Sequence, residues 1–236
     1  MGCSCMKETT PPEVNEIFQE LDAKAPQIID SFQKEKEKIL NEQQNLLSER
    51  EKEVSKAINE KKEEEELKKL LLKYNLKEIE IEKKLIMKEV DKMYQLYEIG
   101  KKLAEKLKNV TLEQLKKKLD KAPSIAKAAL NTQIEQVNNS GPKEFLDTEF
   151  GKPLKTALEK YGMSQVVLQT VIDGLKEERK KRREAERTKY KISQNEFPPE
   201  DELDISAEDL YGLIFDEYQD GIKSKLEEKL NIKSDE

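Results

Sequence analysis

Residues 72–107 read LKYNLKEIEIEKKLIMKEVDKMYQLYEIGKKLAEKL. Leu72, Ile79, Ile86, Met93 and Leu107 keep a seven-residue spacing, with Gly100 in the remaining slot. Leu76, Val90, Tyr97 and Ala104 fill a second row, which Lys83 interrupts. Two apolar rows repeating every seven residues are the pattern of a coiled coil or of a helical hairpin. Ile81, Leu85, Leu96 and Ile99 fall off those rows and predict contact with more than one partner helix.

Upstream, no Pro occurs from Gln27 to Lys108 and no Gly before Gly100, so helix is expected throughout. Phe32, Ile39 and Leu46 hold the same spacing, after which the apolar register fades. Glu63 to Glu66 belong to a solvated charge run. Thr10-Pro11-Pro12-Glu13 forms a capping box that opens the first helix, and Pro26 is expected to interrupt it. An unbroken helix of about 80 residues would span on the order of 120 Å, a spacer length.

Downstream, Thr111 and Gln114 form a second capping box, and Pro123 ends the helix it would open. A further helix runs from Ser124 to about Val137, and Asn138 to Pro142 is a loop. Residues 143–175 hold enough apolar positions for a small core. Gly162 suits a helix C-cap and Ser164 the next N-cap, with the following helix ending near Lys191. Phe197-Pro198-Pro199 marks a linker, and Ser206 caps a last helix over 207–230.

The resulting fold class is all-α: a long helical hairpin or coiled coil, then a small helical bundle and a C-terminal amphipathic helix. Five segments follow. Residues 1–12 form a flexible acylated anchor, 13–109 the long helices and 110–192 a small helical domain with a basic terminal helix. Residues 193–205 form a linker and 206–236 an acidic docking helix.

Composition agrees with thin helices. Charged residues make up 40% and apolar residues 35% of the 236. Ordinary domains hold roughly 25% charged and 45–50% apolar residues. Gly and Pro number only 8 each, which disfavours disorder for most of the chain. The net charge of −6 is uneven. Residues 101–127 carry nine bases and three acids, 176–191 nine and four, and 192–236 four and fourteen. The acidic tail is therefore a natural counterpart to either basic segment.

The sharpest functional signal is Met1-Gly2-Cys3-Ser4-Cys5, which contains both cysteines of the chain. Removal of Met1 leaves Gly2 as a myristoylation acceptor, and Cys3 and Cys5 are palmitoylation candidates. The run resembles the N-termini of dually acylated Src-family kinases and acylated G-protein subunits. That resemblance implies myristate and palmitate here and says nothing of the fold. Met6 stands where the usual motif has Ser or Thr. One myristoyl chain anchors only marginally, and Lys7 is the only base among Glu8, Glu13, Glu16, Glu20 and Asp22. Stable anchoring therefore falls to acyl chains on the cysteines.

Other chemistry is poorly supplied. The chain has no His, no Walker-type phosphate loop and no Gly-x-Gly-x-x-Gly. Asp216, Asp220, Gly221 and Glu227 fall short of a calcium loop, because Tyr218 occupies a ligand position. The expectations are no catalytic residue, no metal and no cofactor. Arg179, Lys180, Lys181, Arg182 and Arg183 are read as a solvated face that contacts phospholipid or the acidic tail. They lack interleaved aromatics, so nucleic acid is not an expected partner. Leu210, Leu213, Ile214, Tyr218, Ile222 and Leu226 form a docking face, either for the chain's own body or for a partner groove.

These readings converge on a lipid-anchored, peripheral membrane scaffold or adaptor, not an enzyme. It would sit on the cytoplasmic face of a membrane, the plasma membrane first. It would bind protein partners, or further copies of itself, through helical faces. The alternative is a membrane-remodelling filament subunit. The chain resembles the ESCRT type in its length, long hairpin, basic helices and acidic, autoinhibitory tail. Segment 143–191 departs from that architecture.

Overall fold

The computed structural model describes residues 11–191, 205–215 and 228–230. Among these, every regular element is an α-helix: α1 (Pro12–Asn59), α2 (Glu64–Lys121), α3 (Ser124–Asn139), α4 (Pro142–Leu146), α5 (Lys152–Lys160), α6 (Gln165–Tyr190) and α7 (Ala207–Leu213). The all-α class is therefore observed. None of these helices is long and apolar enough to cross a membrane.

Two compact units divide the chain. The first takes the described part of Met1–Ile29 together with Gln95–Met163, and the second takes Asp30–Tyr94 with the described part of Ser164–Glu236. Both long helices contribute to both units. The sequence-based boundary at 109/110 falls inside α2.

Within the second unit, α1 and α2 run antiparallel. Glu42 pairs with Lys84 at 2.9 Å and Glu35 with Lys88 at 2.6 Å, while Val54 packs against Leu71. The reversal lies in the charge run. The Lys61 amide donates to the Ile58 carbonyl, the Lys62 amide to the Ala57 carbonyl, and Lys61 has φ 52°. This is a Schellman ending with a lysine in the left-handed position usually held by glycine. It makes the two long helices a helical hairpin, one of the two expected arrangements, with its turn at a place the sequence does not mark. Residues 60–63 are good helix formers without Gly or Pro, so nothing in their type marked the break.

Two other expected breaks are absent. α1 passes through Pro26, whose ring is exposed while Ile17, Leu21 and Ala25 are buried on the opposite stripe. Burial of that stripe before Pro26, and of Phe32 after it, offsets the lost amide and the ring clash, a penalty of about 3 kcal/mol. α2 passes through Val110-Thr111. The buried Thr111 hydroxyl donates to the Leu107 carbonyl at 2.8 Å, a bond inside the helix in place of a cap.

The first unit adds α3, α4 and α5 to α2. Phe145, Leu146, Leu154 and Leu158 are buried there. Gly162 has φ 92°, and the Met163 amide donates to the Leu158 carbonyl at 3.2 Å, so the expected glycine C-cap is present. Gly100 sits where a heptad residue was missing. A methyl group there would stand 2.5 Å from Leu158 Cδ1, so only glycine admits the leucine at this height of α2.

Candidate functional site

α6 opens with an ordinary apolar stripe. Leu168 and Ile172 are buried and Leu175 is half-buried. Continuing at steps of three and four residues, the same stripe reaches Arg179, Arg182 and Arg183, then Glu186 and Tyr190. The arginines thus occupy core-facing positions. Arg179 is 4% and Arg183 5% exposed. Lys180 and Lys181 point to solvent.

The facing stripe of α2 is matched to them. Glu82 Oε2 accepts from Arg179 Nη1 at 2.5 Å, and Glu82 is fully buried. Arg182 Nη2 lies 2.5 Å from Glu78 Oε1 and 3.6 Å from Glu82 Oε1. One layer further on, Arg50 of α1 closes the cluster. It donates to Asn75 Oδ1 at 3.1 Å, pairs with Glu186, and stands 3.7 Å from Glu78. Tyr190 ends the stack against Val54 and Leu71. Three helices of the second unit are therefore pinned by charge between apolar layers. α6 runs antiparallel to α2, since 179 meets 82 and 190 meets 71.

Burial sets the electrostatics. Withdrawal from water pushes the Glu82 carboxyl up to about 7; Arg179 opposes the shift and the neighbouring Glu78 adds to it. Glu186 is raised for the same first reason, with Arg50 opposing and Glu78 adding. Four arginines (Arg50, Arg179, Arg182, Arg183) meet three buried or half-buried carboxylates (Glu78, Glu82, Glu186), and the exposed Glu178 stands 3.6 Å from Arg182. Such a cluster holds register well, because slipping a helix by one turn would leave charges buried without partners.

The arginine run therefore needs correction as one solvated surface. Arg179, Arg182 and Arg183 face into the unit, because they continue the apolar stripe of α6. Only Lys180 and Lys181 remain on the exterior to meet a phospholipid or an acidic segment. Sequence reasoning missed Arg50, Glu78, Glu82 and Glu186. A signal existed: Gln43, Arg50 and Ala57 are seven apart and all buried, a second row beside Phe32, Ile39 and Leu46. Asn75, Glu82 and Glu89 repeat the spacing on α2 and are also buried.

The C-terminal docking face divides likewise. Ser206 caps α7, its hydroxyl accepting from the Asp209 amide at 3.3 Å. α7 packs on α6, and Leu210 and Ile214 are fully buried while Leu213 is nearly so. These three dock onto their own unit, the first of the two occupants expected for this face, so they are not open to a partner here. Tyr218, Ile222 and Leu226, and the acylation candidates Gly2, Cys3 and Cys5, lie outside the described residues, as do Thr10 and Asp216. Among the described residues, no group of three or more Cys, Asp or Glu could hold a metal ion. No family model matches the chain, and no curated protein or solved structure matches it either.

Proposed function

We propose that the chain is a lipid-anchored, peripheral membrane scaffold or adaptor that acts through helical protein contacts on a cytoplasmic leaflet. The observation that carries this reading is the run Met1-Gly2-Cys3-Ser4-Cys5, which concentrates both cysteines beside an acceptor glycine. The helical body supports it. Within the second unit, buried charged groups brace helices against one another, as Arg50, Glu82 and Arg179 do. The exteriors of α1, α2 and α6 remain rich in Lys and Glu, so protein contacts made there would be polar and would weaken with salt.

The test is cell fractionation with intact mass. The wild-type chain, made in a eukaryotic cell, should sediment with membranes and carry the added mass of myristoyl and palmitoyl groups. Gly2→Ala, or Cys3→Ser with Cys5→Ser, should move it to the soluble fraction. An unmodified mass, or an unchanged distribution of both variants, would overturn the anchor.

One observation favours a second reading, the membrane-remodelling filament subunit of ESCRT type. An acidic C-terminal element, α7, buries Leu210 and Ile214 against its own unit, the kind of closure an autoinhibitory tail requires. Deleting residues 197–236 should then release polymerisation on liposomes. A truncated chain that stays monomeric there removes this reading.

A further inference from the structure

The most exposed large apolar side chain in the described residues is Ile125, at 90%. It stands in the first turn of α3, just past the Ala122-Pro123 corner that ends α2. Ala128 and Ala129 continue its exposed face at helical spacing. Lys116, Lys117 and Lys121 on the last two turns of α2, and Lys127 on α3, are exposed around the same corner. None of these four forms an ion pair among the described residues. Lys118 is exposed there too, and the acids of the neighbourhood are Glu113 and Asp120.

We infer that the α2–α3 corner is a second, non-covalent membrane contact, in which lysines take the headgroups of anionic phospholipids and Ile125 enters the interfacial layer. The inference rests on the membrane-anchored reading for its biological setting, but its chemistry is independent of acylation. One isoleucine and two alanines form too small an apolar face for a stable protein interface, which needs a packed core of larger side chains. Residues 110–130 include no aromatic side chain to stack a nucleobase. A single protruding aliphatic with exposed lysine stems on the adjoining turns suits the lipid interface, where stems lie in the apolar boundary and ammonium groups reach phosphate.

The point where the proposed anchor joins the first unit lies at the level of this corner. That point is Pro12, eight residues or about 12 Å of helix from Glu20. Glu20 pairs with Lys106 at 2.5 Å, and Lys116 lies ten residues or about 15 Å beyond Lys106 on α2. Because α1 and α2 run antiparallel, both legs lead the same way, so Pro12 and Lys116 stand within about 3 Å of one level along the helices. A single acyl chain needs a second signal for stable anchoring, and this corner supplies a basic one where residues 7–22 cannot.

The experiment uses the full chain made without acyltransferases, so no fatty chain contributes. Sedimentation with phosphatidylserine–phosphatidylcholine vesicles is compared with pure phosphatidylcholine. The wild-type chain should bind only the anionic vesicles, and less as salt rises. Each lysine near such a surface contributes roughly a fivefold gain in partitioning, so K117Q/K121Q/K127Q should lose on the order of a hundredfold. Ile125→Ser, with charge unchanged, should lose about tenfold. Far-ultraviolet circular dichroism should match wild type for both, since all four side chains are exposed. Several results would overturn the inference: absent binding by the wild-type chain, binding undiminished in either variant, or variants that lose an oligonucleotide or self-association while keeping the vesicles. None of these touches the anchor, which stands or falls on fractionation of Gly2 and cysteine variants.

Discussion

Arg179 and Glu82 meet where three helices of the second unit converge, with 2.5 Å between Nη1 and Oε2 and almost no solvent at either group. A buried pair of this kind costs desolvation on both sides, and its attraction roughly repays it. The first prediction separates the pair from its parts. Arg179→Ala leaves Glu82 facing only the more distant Arg182 and should cost about 3–5 kcal/mol. The double replacement R179M/E82L removes one charge of each sign and should come out near neutral, or up to about 4 kcal/mol more stable. Urea denaturation followed by helical circular dichroism reads both. A double variant as unstable as the single would mean that the pair itself, and not the stranded charge, carries the energy.

The pH dependence of stability should peak in mildly acidic solution. Glu82 titrates near 7 in the folded chain against an ordinary value of 4.5. Between those values the folded state holds a proton that the unfolded state has released, so stability falls as pH rises. The effect is on the order of 3 kcal/mol, because a tenfold change in proton affinity between the two states corresponds to about 1.4 kcal/mol. Glu186 acts in the same direction. Glu20 and Glu35 are shifted down, first by hydrogen bonds from Lys106 and Lys88, so their contribution is lost as pH falls below 4.5. Denaturation midpoints measured from acid to neutral should therefore rise to about pH 4.5 and then decline. Glu82→Gln, a neutral stand-in for the protonated group, should flatten the decline. A wild-type midpoint that climbs steadily to pH 7 would show that the arginines win.

What the sequence disclosed, and what it hid, follows from which residues carry the register. The rows built on Ile79, Ile86 and Val90 were visible because apolar residues announce a buried face. Arg50 sits on the same kind of row between Gln43 and Ala57, but a charged residue at a core position looks like the end of a pattern. Counting charge along 179–183 hid the alternation of inward arginines and outward lysines. Ser206 and Gly162 were legible as caps because their chemistry is local. The turn at Lys61 was not, because tertiary pairing of α1 with α2 placed a left-handed residue where local preference asks for helix. Pro26 and Thr111 erred the other way: local stop signals yielded to the packing of Leu21, Ala25 and Leu107.

Gly100→Ala should destabilise the first unit through one contact. Its new methyl would stand 2.5 Å from Leu158 Cδ1, and Leu158 is fully buried with little room to turn. Overpacking of this order costs about 1–3 kcal/mol, more than the gain of up to about 1 kcal/mol in helix propensity. In a Leu158→Ala background the clash is gone and the propensity gain remains. Thermal denaturation of the four-member cycle should therefore show Gly100→Ala changing sign between the backgrounds. Equal effects in both would refute the close approach.

Pro26→Ala should stabilise the chain. The ring is exposed, so its loss removes no core contact, and alanine restores an amide that can donate to the Asp22 carbonyl. The Asp22 carboxylate accepts from the Tyr161 hydroxyl at 2.7 Å, an interaction the change leaves alone. The gain should reach up to about 3 kcal/mol in denaturant melts. A loss would mean that the proline ring or its kink is required by contacts of α1.

Leu210→Ala tests whether α7 is an integral part of its unit or a latch. The side chain is fully buried, and truncation of such a leucine costs about 2–5 kcal/mol where it belongs to the cooperative core. α7 has only seven residues and a single capping hydroxyl, so it has little stability of its own. The expected outcome is local release. Hydrogen exchange at residues 207–213 should accelerate while the α2 and α6 amides around Glu82 and Arg179 keep their protection. Global unfolding midpoints should then move by less than the local loss. If the whole second unit loses protection together, the segment is core, and any partner that competes for Leu210 would have to unfold the unit to reach it.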